Sequence, residues 1–318
     1  ISTAVNENRF NSIISSSASS ICGGIINSSI ENSSFGVING ICGVSIAMLT
    51  SCCSTIESNA QGTASTSNST MNSVGTSFMS GTKQSIIQGG SKQCLISTTA
   101  SSIIGGNCNL IFDDNGSSEI SSYRGSICSS VRSSIISASS SLICRSQHSL
   151  VSTGRDNCIL SSTFSSIESS ECSIIRNSSE SSIIATCISS ITFSCNSAIL
   201  GGECGRIVSS FDSAIIAGST SLVQSSCGVL ILGGMNNSIC SSTASAIIGG
   251  TGLTLSGVRD IVYVPKLKIA TASLTCTMPR VLVWDESSCD VFWRPDSTIT
   301  GAMVNNTQVA FGCSNNAG

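Results

Sequence analysis

Aliphatic residues recur along this chain on a frame of sixteen. Every sixteenth residue from Leu95 reads Leu95, Ile111, Ile127, Ile143, Ile159, Ile175, Ile191, Ile207, Val223 and Ile239. A frame displaced by eight reads Ile87, Ile103, Glu119, Ile135, Val151, Ile167, Ile183, Ile199, Ile215, Ile231 and Ile247. Only Glu119 breaks it, with Ile120 standing beside it. Two matched apolar positions per unit predict a flattened coil of strand, turn, strand and turn, stacked on the next at about 4.8 Å. The two ladders then point inward from opposing strands and form a thin isoleucine core, with nearly every turn position polar. Ten to eleven such coils fit between residues 79 and 250. They predict a rod on the order of 50 Å long.

The punctuation agrees with that reading. Gly-Gly recurs after one strand at Gly89-Gly90, Gly105-Gly106, Gly201-Gly202, Gly233-Gly234 and Gly249-Gly250, and Asn236-Asn237-Ser238 precedes Ile239. Glycine supplies the positive φ of a tight corner, and asparagine tolerates it. The expected fold is therefore all-β, a parallel β-solenoid (β-roll) in three regions. Residues 1–78 form irregular repeats, with Ile13, Ile21, Ile30, Ile38 and Ile46 eight or nine apart as if single residues were inserted. Within them, residues 55–74 are read either as continuing coil or as a Ser-rich linker. Residues 79–250 form the regular array, whose register is expected to end at Thr251. Residues 251–318 form a β cap, in which Val281–Trp284 and Val291–Arg294 flank a loop as a hairpin. Trp284 and Trp293 are expected in the core of this cap, a Trp-lined ligand site being the alternative.

The residue after each inward isoleucine faces the other way. On one strand this outward column holds Ile104, Ile136, Ile184, Leu200, Ile216, Leu232 and Ile248, interrupted at Ser152 and Glu168. On the other strand it is mixed: Cys128, Cys144, Leu160, Arg176, Thr192, Val208, Gln224 and Cys240. One face is thus an aliphatic stripe that water disfavours, and it predicts association with further copies of the chain through those seven residues. Cys128 and Cys144 lie one coil apart on an outward position, a spacing that permits a disulfide. The remaining cysteines, among them Cys158, Cys172, Cys187, Cys195, Cys204 and Cys227 near corners, are read as links in an oxidising compartment or as free thiols.

Composition narrows the function. Charged residues are 10%, aromatics 4% and the net charge is −3, which speaks against a nucleic-acid surface. No apolar run reaches membrane-spanning length. Residues Ile1–Phe10 carry no signal-peptide pattern and do not begin with Met, so a fragment or processed product is expected. With one histidine, His148, and one adjacent cysteine pair, Cys52-Cys53, no metal site is expected. His148 is read as a surface residue at a corner without a partner, and Asp113-Asp114 as part of a polar turn. The Gly-Gly pairs lack the strand–loop–helix setting of a phosphate cradle. No catalytic residue, cofactor or enzymatic activity is expected.

The units Ser102-Ile103-Ile104-Gly105-Gly106-Asn107 and Ala246-Ile247-Ile248-Gly249-Gly250 resemble the head repeats of trimeric autotransporter adhesins and, more closely, the shafts of phage and large-virus tail or surface fibres. The exit Val262–Ile269 with the following hairpin resembles the segment after such shafts, which often precedes a cleaved chaperone; without a recognisable chaperone in this sequence, either a mature product or a truncated chain is expected. The many cysteines and the sixteen-residue period depart from those families. The resemblance implies a homotrimer, located at a virion surface or extracellularly, whose shaft is structural and serves host attachment. The alternative is a cell-surface adhesin that binds a host or matrix ligand directly. Ice binding would need a continuous outward threonine column, and Thr192 stands among mixed residues.

Overall fold

The structure, a computed structural model, describes the side chains of residues 83–265 apart from 84, 85, 90, 95 and 121, and only the backbone of strands outside that stretch. Between Ile86 and Tyr263 the chain winds as a parallel β-solenoid in which each strand pairs with the one sixteen residues on. Ile183 pairs with Ile199, Ile199 with Ile215, and on the opposing strand Ile191 pairs with Ile207. Both ladders are sealed: the isoleucines from Ile103 to Ile247 and from Ile111 to Ile239 have no solvent exposure. No helix occurs among the described residues.

The coil differs from the flattened strand–turn–strand–turn expected. Each three-residue strand is followed by two left-handed residues three apart, so a coil has four corners rather than two broad turns. One left-handed position falls at every eighth residue from Lys92 to Asp260, the other at every eighth described residue from Ser97 to Gly257. Most are not glycine: Ser129, Arg132, Ser137, Ser140, Arg145 and His148 all have φ near +50°. A left-handed L-residue costs roughly 1–2 kcal/mol. The compensation is intercoil. Each corner N–H donates to a carbonyl of the preceding coil, as Ser129 N–H to Phe112 O at 2.8 Å and Arg132 N–H to Asn115 O at 2.8 Å. A single coil lacks those acceptors, so stability comes from the stack.

Four corners change what fills the interior. Counting the inward isoleucine as position one, positions four and seven of each eight-residue half-coil also point inward, and serine dominates both. Ser130, Ser146, Ser162, Ser178, Ser194, Ser210, Ser226 and Ser242 are all buried and form one column. Burying a hydroxyl is unfavourable unless it is paired. Here each does two jobs. Ser210 Oγ donates to Val208 O at 2.8 Å and accepts from Ser226 N–H at 3.2 Å. The same link repeats upward from Ser130 to Val258. Ser210→Ala should therefore leave the Ser226 N–H buried without an acceptor and lower unfolding free energy by about 1–3 kcal/mol, measurable by urea titration.

The opposite corner uses glycine. Gly106, Gly154, Gly202, Gly234 and Gly250 all have positive φ at position four. A Cβ on Gly106 would run into Ser122 O, and one on Gly234 into Gly250 O. The volume left by the missing side chain is filled from position seven. Asn237 Nδ2 donates to Gly249 O at 3.2 Å and Gly250 O at 3.3 Å, while its Oδ1 accepts from Leu253 N–H at 3.0 Å. Asn237 is thus an interior residue, while its neighbour Asn236 takes the left-handed corner.

Register does not stop at Thr251. Leu255 pairs with Ile239 and Tyr263 with Ile247, so the array runs one coil further than the isoleucine frame suggested. The reason is visible in the sequence: Leu255 stands sixteen residues after Ile239 and continues its ladder. Before residue 79, strand backbones pair in the same parallel manner at varying offsets, Val5 with Ile21, Ile13 with Ile30 and Ile38 with Ile56, as single-residue insertions require. From Lys266 the chain belongs to a second compact unit. In it Arg280–Asp285 pairs antiparallel with Asp290–Pro295, as the hairpin pattern predicted. The side chains of Trp284 and Trp293, and the capping role assigned to this unit, lie outside the described residues.

Candidate interaction surface

The strand geometry turns the aliphatic column outward. Ile247 is sealed in the coil, while the next residue, Ile248, is 40% exposed; Leu232 is 39% and Ile104 37% exposed. Ile136, Ile184, Leu200 and Ile216 are half-buried, covered in part by their neighbours above and below. Stacking alone does not remove this face from water.

The strand residue on the other side of each inward isoleucine also faces outward, which adds a second column to this face. It reads Ser102, Ser118, Ser134, Leu150, Ser166, Ser182, Ala198, Ala214, Leu230 and Ala246. The added column is mostly small residues, and from Ala198 to Ile248 both columns are apolar. The break at Ser152 is compensated, since Leu150 brings an aliphatic side chain to the same strand. At Glu168 the companion is Ser166, and that strand stays polar. The opposite face is less uniform: Phe112, Arg176 and Gln224 are exposed, and Leu160, Thr192 and Val208 are half-buried.

Cys128 and Cys144 of successive coils stand at disulfide distance on that opposite face, with Cα atoms 4.7 Å apart. The other described cysteines are free thiols. Cys158, Cys187, Cys195 and Cys204 are half-buried, and Cys172 and Cys227 are exposed. None of these has a cysteine sixteen residues away.

Two polar residues behave differently from expectation. His148 has a partner: its ring stacks on Phe164 of the next coil, with centroids 4.8 Å apart. Asp113 occupies an exposed left-handed corner, whereas Asp114 is buried and accepts a hydrogen bond from Ser130 N–H at 2.6 Å. Position four points inward, and that rule, not turn polarity, decides where Asp114 goes. Arg155 and Glu171 form an exposed ion pair at the lip of a shallow depression on the glycine side. No helix among the described residues is long and apolar enough to cross a membrane.

No family model and no curated protein matches the chain. Among solved structures it is similar to that in a crystallographic analysis of the polysialic acid O-acetyltransferase OatWY, at 14% identity over 66% of this chain and 94% of that one. The TM-score of 0.11 gives that likeness no weight for function.

Proposed function

We propose that the chain is the structural shaft of a surface fibre or spike, held as a homotrimer through the strip that carries Ile104, Ile136, Ile184, Leu200, Ile216, Leu232 and Ile248. The observation that carries this reading is the aliphatic strip on one face of the stack, unbroken from Ile184 to Ile248 and partly exposed along that length. Each aliphatic side chain taken out of water contributes roughly 1.5–3 kcal/mol, so seven in line are enough for permanent association even after large orientational costs. A surface of small neutral side chains with few charges suits an exposed filament and offers little to nonspecific partners. Placement on a virion or outside a cell, a role in host attachment and the absence of catalysis belong to the same reading.

Light scattering on the unheated, non-reduced chain tests it. A threefold mass is expected. Ile216→Lys, which puts a charge in the strip without touching the sealed ladder, should leave the β spectrum intact and reduce the mass to that of the monomer. A monomeric parent chain would refute the shaft reading and direct attention to a different cover for the strip.

A further inference from the structure

The winding brings together three cysteines that share no single column. Glu171, Cys187 and Glu203 stand above one another on one short side of the coil, joined as parallel bridges. Cys172 and Cys204 follow the two glutamates in the chain and occupy left-handed corners beside that column. Cys187 therefore has one cysteine diagonally below it and another diagonally above.

The backbone sets how close these diagonals are. Cys204 N–H donates to Cys187 O at 2.9 Å, and Ile188 N–H donates to Glu171 O at 2.9 Å. Successive coils stand 4.7 Å apart at Cys128 and Cys144. Consecutive Cα atoms are about 3.8 Å apart. One coil up and one residue along gives a Cα separation of about 6 Å, inside the range a disulfide spans. All three cysteines lie at outward positions: Cys172 is exposed, and Cys187 and Cys204 are half-buried. Cys187 also lines the shallow depression beside Arg155 and Glu171, where Ala185 and Gly202 leave it open to a small reagent. The nearest comparison is Cys195 and Cys227, which share the opposite short side but lie two coils apart with Phe211 between them. Their Cα spacing of about 9 Å is beyond disulfide reach.

We propose that Cys172, Cys187 and Cys204 form an oxidation site with a shared centre, in which Cys187 bonds to Cys172 or to Cys204 but never to both. The oxidant is a low-molecular-weight disulfide. A corner thiolate attacks one of its sulfurs, breaks the S–S bond and expels one small thiolate, leaving a mixed disulfide on the protein. The Cys187 thiolate then attacks the protein sulfur of that mixed disulfide and expels the second small thiolate. Two protein thiols are oxidised to one disulfide, and the reagent is reduced to two thiols. The two protons leave the cysteines and reach the expelled thiolates through solvent. The product clamps successive coils together, and one corner cysteine always remains a thiol.

The test treats the reduced full chain with oxidised glutathione, alkylates the remaining thiols and isolates the monomer band from a non-reducing denaturing gel. That band restricts the readout to links within one chain. Cleavage after Glu171, Glu180 and Glu203 puts the three cysteines on separate peptides for mass spectrometry, and fragmentation separates Cys187 from Cys195. The parent should yield Cys187 linked to Cys172 and to Cys204, with Cys195 and Cys227 not linked to each other. Cys172→Ser should send the whole cross-link to Cys204, and Cys204→Ser should send it to Cys172. Cys187→Ser should lose both links while keeping the parent's β spectrum. Loss of the cross-link in either corner variant would overturn the shared centre. A parent in which Cys187 carries only glutathione, or in which Cys172 joins Cys204 or Cys195 joins Cys227, would overturn the site.

Discussion

Ile191→Ala should lower unfolding free energy by about 2–5 kcal/mol, the range for deleting a fully buried aliphatic side chain in a core that cannot collapse. Collapse is not available to this site. Ile191 has no exposure, its strand is held in register by Ile175 and Ile207, and intercoil spacing is set by backbone hydrogen bonds. The cavity therefore persists. Because each coil touches only its neighbours, the damage should concentrate near the middle of the array. Hydrogen exchange should show accelerated opening around residues 175–207 before the terminal coils respond. Ile191→Val, which keeps the branched shape, should cost only about 0.5–1.5 kcal/mol. An unchanged urea midpoint for the alanine variant would contradict the sealed interior.

The second large effect concerns length. The inward isoleucine repeats every eight residues, but the corner columns and the exterior repeat only every sixteen. Removing residues 183–198 deletes one coil and joins Ser182 to Ile199, which preserves both patterns. Removing residues 183–190 joins Ser182 to Ile191, which preserves the inward isoleucine but exchanges the two faces beyond the cut and sets the glycine corners over the serine column. Leu200, Ile216, Leu232 and Ile248 then project from the side opposite Ile104 and Ile136. Both variants should show a β-rich circular dichroism spectrum. The sixteen-residue deletion should keep the oligomeric mass, whereas the eight-residue deletion should lose it, since four contacts worth roughly 1.5–3 kcal/mol each no longer share a face. If the shorter deletion assembled like the parent, the strip would not be the seam.

Much of this architecture is legible in the sequence because isoleucine is a strict reporter. At Ile103, Ile199 or Ile247 the side chain is fully sealed, and a spacing of sixteen specifies the register directly. Serine is a poor reporter, since it serves at corners, on strand edges and in the interior. Ser210 and Ser209 are adjacent and chemically identical, yet one is buried in a hydrogen-bonded column and the other is an exposed left-handed corner. Only the four-cornered winding separates them. Asp114 and Glu119 were obscured for the same reason: a carboxylate reads as surface unless the position it occupies is known to face in. The outward strip was visible because it needs only the alternation of strand side chains.

The intercoil bonds have a consequence for how the molecule is made. They join residues fifteen to seventeen apart, as Ser126 N–H to Ser141 O and Ser129 N–H to Phe112 O, at every level of the stack. The range of the contacts does not grow with the number of turns. Once a first pair of turns has closed, each new segment leaving the ribosome meets a finished template at its own level and winds onto it. Lengthening the protein adds steps of equal difficulty rather than a longer search.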